Sequence, residues 1–123
     1  VKNKIIIIAI IFFVSCKQTQ IVFPLEAGKL TKEYLEKPAK SDRKYKNNIL
    51  IIEGRISQVY TNKNNQSILI LANVKDKYGV SCTLKMTEKI SEPFRQYQLV
   101  EIKGLCTGFK ENVIMENCVI LYK

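Results

Sequence analysis

The chain has 123 residues, 46% of them hydrophobic, and a formal charge of +9. That length suits one domain with a single core and leaves too little chain for two well-packed ones. The sequence contains no histidine, so the usual general base near neutral pH and the commonest imidazole metal ligand are both missing, which points away from an enzyme and from a metal protein.

Lys2 and Lys4 precede an apolar run from Ile5 to Val14, which ends at Ser15-Cys16. A short basic segment followed by ten apolar residues reads as a secretory signal, because ten residues cover only about half a bilayer as helix. Phe13-Val14-Ser15-Cys16 resembles a bacterial lipobox, with a small residue directly before the cysteine that is acylated and becomes the new N-terminus. The alternative is a plain signal peptide with a coincidental cysteine. On the lipobox reading, residues 1–15 are a lipoprotein signal peptide, residues 16–26 a lipidated tether containing Pro24, and residues 27–123 the folded domain. Two or three acyl chains on Cys16 suffice for stable anchoring. Lys17, where an inner-membrane retention signal has Asp, directs the expectation to the outer membrane of a bacterial envelope, facing the periplasm. Loss of Lys2 and Lys4 lowers the charge to +7, from 18 Lys and Arg against 11 Asp and Glu. That excess is dispersed and is compatible with a solvated surface, nucleic acid, anionic lipid or envelope polyanions.

From Ala27 to Lys37, the spacing of Leu30, Tyr34 and Leu35 predicts a short helix with one apolar stripe. Pro38 should stop it, since its ring clashes with the preceding turn and it has no N–H. Ala39 to Asn48 reads as a polar lead-in, with Tyr45 packed on the end of the domain. Ile49 to Tyr60 then predicts a long first strand. Leu50, Ile52, Gly54 and Ile56 form its inner face, while Glu53, Arg55 and Ser57 turn to water. Gly54 is expected to let the strand bend. Thr61 to Gln66 is a hairpin turn of residues that bond their own backbone. Ser67 to Asn73 is a second strand, covered on both faces. After a charged turn, Tyr78 to Met86 is a third strand, with Val80, Cys82, Leu84 and Met86 inward. Thr87 to Gln98 reads as a short helix or an irregular loop. Leu99 to Gly104, with Val100 and Ile102 inward, is a fourth strand, and Asn112 to Tyr122 a fifth. A small helix followed by five strands, with glycine in the first, predicts an all-β chain of small α content: a five-stranded OB-fold Greek-key barrel preceded by a short N-terminal helix.

Several strings carry a closer resemblance. Tyr45-Lys46-Asn47-Asn48 leads to Ile52-Glu53-Gly54, Val80-Ser81-Cys82 follows, and then Val100-Glu101-Ile102-Lys103-Gly104-Leu105-Cys106-Thr107-Gly108-Phe109 and Asn117-Cys118. Together, over Ala27 to Leu121, they resemble the tRNA_anti-like family of OB-fold domains, many of them in bacterial envelope proteins or lipoproteins. The family name records a likeness to the anticodon-binding fold and implies no particular ligand.

In such a barrel the third strand runs parallel to the fifth and the fifth antiparallel to the fourth, so Cys82, Cys106 and Cys118 can share one interior. Cys106 and Cys118 lie symmetrically about Asn112 and are the expected pair if a disulfide forms. Such a bridge would add roughly 2–4 kcal/mol. Cys82 is then a third buried thiol or a competitor for Cys118, and three unpaired core thiols are the other reading. Neither a metal nor a cofactor is expected, because histidine and close Cys-x-x-Cys spacing are absent. Single carboxylates set among lysines give no acid–base pair and no catalytic residue.

A binding role remains. OB-folds that hold single strands stack bases on aromatic residues of the second and third strands within a basic groove. Here Arg55, Tyr60, Lys63, Lys75, Lys77, Tyr78 and Lys85 mark a candidate face, with Tyr60 and Tyr78 its only aromatics. The expected function is a membrane-anchored, non-catalytic binding module for an envelope protein, glycan or small ligand. The alternatives are a single-stranded nucleic-acid-binding domain and a structural or assembly protein of the envelope.

Overall fold

The computed structural model describes residues 24–88, 90 and 93–122. Residues 1–15, expected to be a signal peptide, lie outside them, as do Cys16 and most of the stretch expected to be a tether. In chain order the elements are β1 (Leu25–Glu26), α1 (Ala27–Glu36), α2 (Pro38–Tyr45), β2 (Ile49–Thr61), β3 (Ser67–Leu71), β4 (Val80–Leu84), β5 (Leu99–Lys110) and β6 (Asn112–Tyr122). The sheet runs β1-β2-β3-β4-β6-β5, and β5 returns to pair with β2. Five strands therefore close a barrel, with β4 and β6 parallel. The fold is the all-β OB barrel that the strand pattern predicts.

Closure depends on β2 changing partner midway. Ile49 to Arg55 pair with β5, and Ile56 to Thr61 pair with β3, with a register shift between Ile56 and Gln58. Its inner positions Leu50, Ile52 and Ile56 are buried, while Arg55 and Gln58 to Thr61 are exposed. Gly54 sits next to the change of partner. A Cβ there would lie 2.8 Å from the Cβ of Ala27 and 3.2 Å from that of Leu71. The glycine is thus needed for close approach of α1 and β3 to the strand.

α1 closes the barrel with Ala27, Leu30, Thr31 and Tyr34, all buried. Leu35 is 52% exposed, contrary to the expected stripe. It lies roughly 140° around the helix from Leu30, off the inward face. The Tyr34 ring stacks on Phe109 at 5.1 Å and lies 6.1 Å from Tyr45. Pro38 ends nothing beyond α1: it occupies the first turn of α2, where a missing N–H costs no hydrogen bond. The polar lead-in is therefore helical. Tyr45 is buried as expected, and its hydroxyl donates to the Glu33 carboxylate at 3.0 and 3.1 Å.

Other boundaries shift. Leu25–Glu26, at the end of the stretch read as tether, pairs in parallel with Ile52 and Glu53. β4 stops at Leu84, leaving Tyr78 outside it and Met86 59% exposed rather than inward. Between Lys85 and Gln98 the described residues form turns and irregular chain, with Ile90 and Phe94 packed on the core. β5 runs on to Lys110, well past Gly104.

Gly54→Ala is expected to lower stability by about 1–3 kcal/mol through overpacking against Ala27. Adding Ala27→Gly should recover part of that loss, measured by urea unfolding of the two single variants and the double variant.

Candidate functional site

The three core cysteines are buried and free. The Cys106–Cys118 bridge anticipated from hairpin symmetry is not formed, and the register explains why. The hairpin turns at Glu111 (φ 66°), with Lys110 opposite Asn112, and a further shift brings Cys106 opposite Met115. Cys118 instead packs over Gly104, its Sγ filling the space that a Cβ would take. Its thiol neighbour is Cys82, whose pKa is held well above 9.0, first by the hydrogen bond to Cys118 and then by burial. Cys106 lies 3.7 Å from the Tyr34 hydroxyl. Burial, ahead of these contacts, pushes the Cys106 thiol and the Tyr34 and Tyr45 phenols up. Raised thiols far from water are poor nucleophiles, so this cluster belongs to the core.

Among the described residues no group of three or more His, Cys, Asp or Glu side chains could hold a metal ion. No helix of the described residues is long and apolar enough to cross a membrane.

The polar surface gathers where β2 changes partner. Ile56 carries the β2–β5 register one position past Arg55–Leu99, so its N–H and C=O face the loop before β5: Ile56 N donates to Gln98 O at 3.0 Å, and Tyr97 N donates to Ile56 O at 2.6 Å. The Arg55 guanidinium donates to Tyr97 O at 3.1 Å. These bonds hold Tyr97 at φ 63°, a left-handed conformation unfavourable for a bulky residue. Strain of this kind persists only where surrounding structure imposes it.

Tyr97 lines a groove of about 360 Å³ with Tyr60, Gln58, Asn73, Gln96 and Asn112. Ser57 and Ile70 form part of its wall, joined by a 3.2 Å bond from Ser57 Oγ to Ile70 O. Asn112 is fixed by accepting the Gly79 N–H at 2.8 Å. The groove holds one cation, Lys77, and one carboxylate, Asp76. Two tyrosines and a row of amides with no net charge can stack on and hydrogen-bond a polar, uncharged ligand. A second groove, of about 400 Å³, adjoins it between α1 and the β3–β4 loop, sharing Asn73, Asp76 and Lys77.

The candidate face from the sequence is therefore divided. Tyr60 and Lys77 meet in the polar groove, and Arg55 supports it through the backbone of Tyr97. Tyr78 lies in the α1 groove, with Lys77 Nζ 5.2 Å from its ring centroid. Lys63, Lys75 and Lys85 are exposed and line neither groove. Tyr97 and the amides were missed, because they come from separate segments and no local pattern marks them. The run Arg95-Gln96-Tyr97-Gln98, an aromatic among polar groups in a loop, is the one signal that could have flagged Tyr97.

A family model described as tRNA_anti-like matches residues 4–120. No curated protein matches the chain in sequence. Among solved structures, the chain is similar to a proposed nucleic acid-binding lipoprotein from Klebsiella pneumoniae subsp. pneumoniae, at 11% identity and a TM-score of 0.57, over 79% of this chain and 91% of that one. At that identity the likeness shows the fold alone.

The raised groups give stability a defined alkaline limit. Cys82 and Cys106 would ionise near 9.0 and Tyr34 and Tyr45 near 10.0 in an unfolded chain, and each is held neutral in the fold. Their contribution is complete below those values and is lost as pH rises above them, by up to about 1.4 kcal/mol per pH unit for each group. Tyr34→Phe should lose less stability than the parent between about pH 10 and 11, read from urea midpoints at both pH values.

Proposed function

The chain belongs to the tRNA_anti-like family, and from that footing we propose that it is a non-catalytic OB-fold binding module anchored to a bacterial envelope membrane through lipid on Cys16. The lipobox-like Phe13 to Cys16 supports the anchor, and Lys17 after the cysteine supports an outer-membrane, periplasm-facing address. A fold neighbour named as a lipoprotein is consistent with it.

The groove between β2 and the loop before β5 is the ligand site, and a cell-wall glycan is the class that fits it best. The observation that carries this reading is the pairing of Tyr60 and Tyr97 with amide side chains in a groove whose Asp76 and Lys77 cancel. Sugar rings offer C–H faces to tyrosine and hydroxyls to amides. A single-stranded nucleic acid calls instead for a row of cations beside the stacking residues. The neighbour's name favours nucleic acid as the second reading.

Co-sedimentation with purified cell-wall sacculi, beside fluorescence titration with single-stranded RNA at low and high salt, separates the two. Wall binding should survive high salt. Tyr60→Ala should weaken it about 5–150-fold, equivalent to roughly 1–3 kcal/mol for one stacking aromatic. Tyr97→Gly should do the same while leaving the urea midpoint unchanged or higher, since glycine accepts the left-handed backbone. Salt-sensitive RNA binding lost in both variants, with no wall binding, would assign the groove to nucleic acid.

A further inference from the structure

α2 arranges its cations as a single arc. Buried Ser41 and Tyr45 mark its inward side. At about 100° per residue, the outward side carries Ala39, Arg43, Lys40 and Lys44 in turn, all exposed. Three of these four are cations and none is a carboxylate.

The nearby acids are turned elsewhere. Asp42 lies against the Tyr34 hydroxyl and keeps Oδ1 buried. Glu33 accepts the Tyr45 hydroxyl and forms an ion pair with Lys44 at 3.8 Å. Glu36 lines a groove with Lys37 and Lys40 at the edge of the arc. The arc is therefore an electropositive helix face with nothing covering it in the described residues.

Its position relates it to the anchor. Pro24 and Glu33 line one groove, and Glu33 and Lys44 line the next, so the described chain begins alongside this face. Cys16 is eight residues before Pro24, a reach of at most about 30 Å. A domain held that close to a bilayer meets its headgroups at high effective concentration.

We propose that the outward arc of α2, Lys40, Arg43 and Lys44, docks on anionic phospholipid headgroups of the membrane that holds the lipid anchor. This rests on the lipid-anchor reading above. The arc has no aromatic residue for stacking bases, whereas long cationic side chains on one face suit a layer of phosphates. Docking fixes which side of the barrel faces the membrane.

The test uses the full chain reconstituted in vesicles, with an environment-sensitive fluorophore on Ala39→Cys. The core thiols Cys82, Cys106 and Cys118 are buried and should not label, an acylated Cys16 has no thiol to label, and where Cys16 is unmodified the labelled chain also carries Cys16→Ser. In vesicles of phosphatidylglycerol and phosphatidylcholine, a headgroup-depth quencher should quench the reporter, and in pure phosphatidylcholine it should not. Each of Lys40→Gln and Arg43→Gln should reduce the docked-to-free ratio about five-fold, and high salt should abolish docking. Mass analysis of the N-terminal peptide from the same sample reads the anchor separately. An acylated Cys16 with equal quenching in both lipids overturns the docking and leaves the anchor standing. An unmodified Cys16 with quenching confined to anionic vesicles supports the docking and removes the anchor. Variants that lose single-stranded RNA binding while keeping headgroup contact would also overturn the proposal.

Discussion

One strand with two partners holds this molecule together. β2 cannot pair with β3 along its whole length and also close the barrel against β5, so the ladder changes hands between Arg55 and Ile56. Ile56 stands one position past the Arg55–Leu99 pair in the β2–β5 register, so its N–H and C=O still face the β5 side, where the paired strand has ended. Buried backbone groups need partners, and they find them in Gln98 and Tyr97. The loop before β5 is thereby held against β2, and Tyr97 comes to line one groove with Tyr60. The same constraint that closes the barrel builds the groove.

The N-terminal helices depend on the same place. Ala27 sits over Gly54, one residue before the change of partner, and from there α1 runs across the barrel to insert Tyr34 beside Phe109 and Cys106. α2 folds back against α1 through Tyr45 and Glu33. The hairpin buries its few aromatic residues and leaves its lysines outside. Groove and basic arc thus lie on different parts of the surface, which is compatible with the proposed ligand and the proposed membrane contact acting together.

What the sequence made legible follows from which interactions are local. The alternation in Leu50, Ile52 and Ile56, and again in Val100 and Ile102, is a property of consecutive residues, and those strands are where it places them. Tyr45 was recognisable as a buried group because it stands alone among charges. α2 was not legible as a helix: its inward side needs only Ser41 and Tyr45, too few to form a periodic apolar pattern. Pro38 reads equally well as the end of one helix or the start of another. Cys106 and Cys118 were misaligned because the turn centres on Glu111 and the β5–β6 pairing contains register shifts, neither of which spacing reveals. Tyr97 was beyond reach because its place is set by hydrogen bonds to residues about forty positions earlier.

The central claim is that the groove at the strand switch takes an uncharged polar ligand in the envelope. The most direct measurement places a photo-crosslinking residue at Gln58, in the groove, and at Lys63, on the exposed hairpin outside it, in cells producing the full chain, and identifies the adducts by mass spectrometry. The account predicts glycan adducts from Gln58 that are absent from Lys63. RNA adducts from Gln58, or the same adducts from both positions, would contradict it.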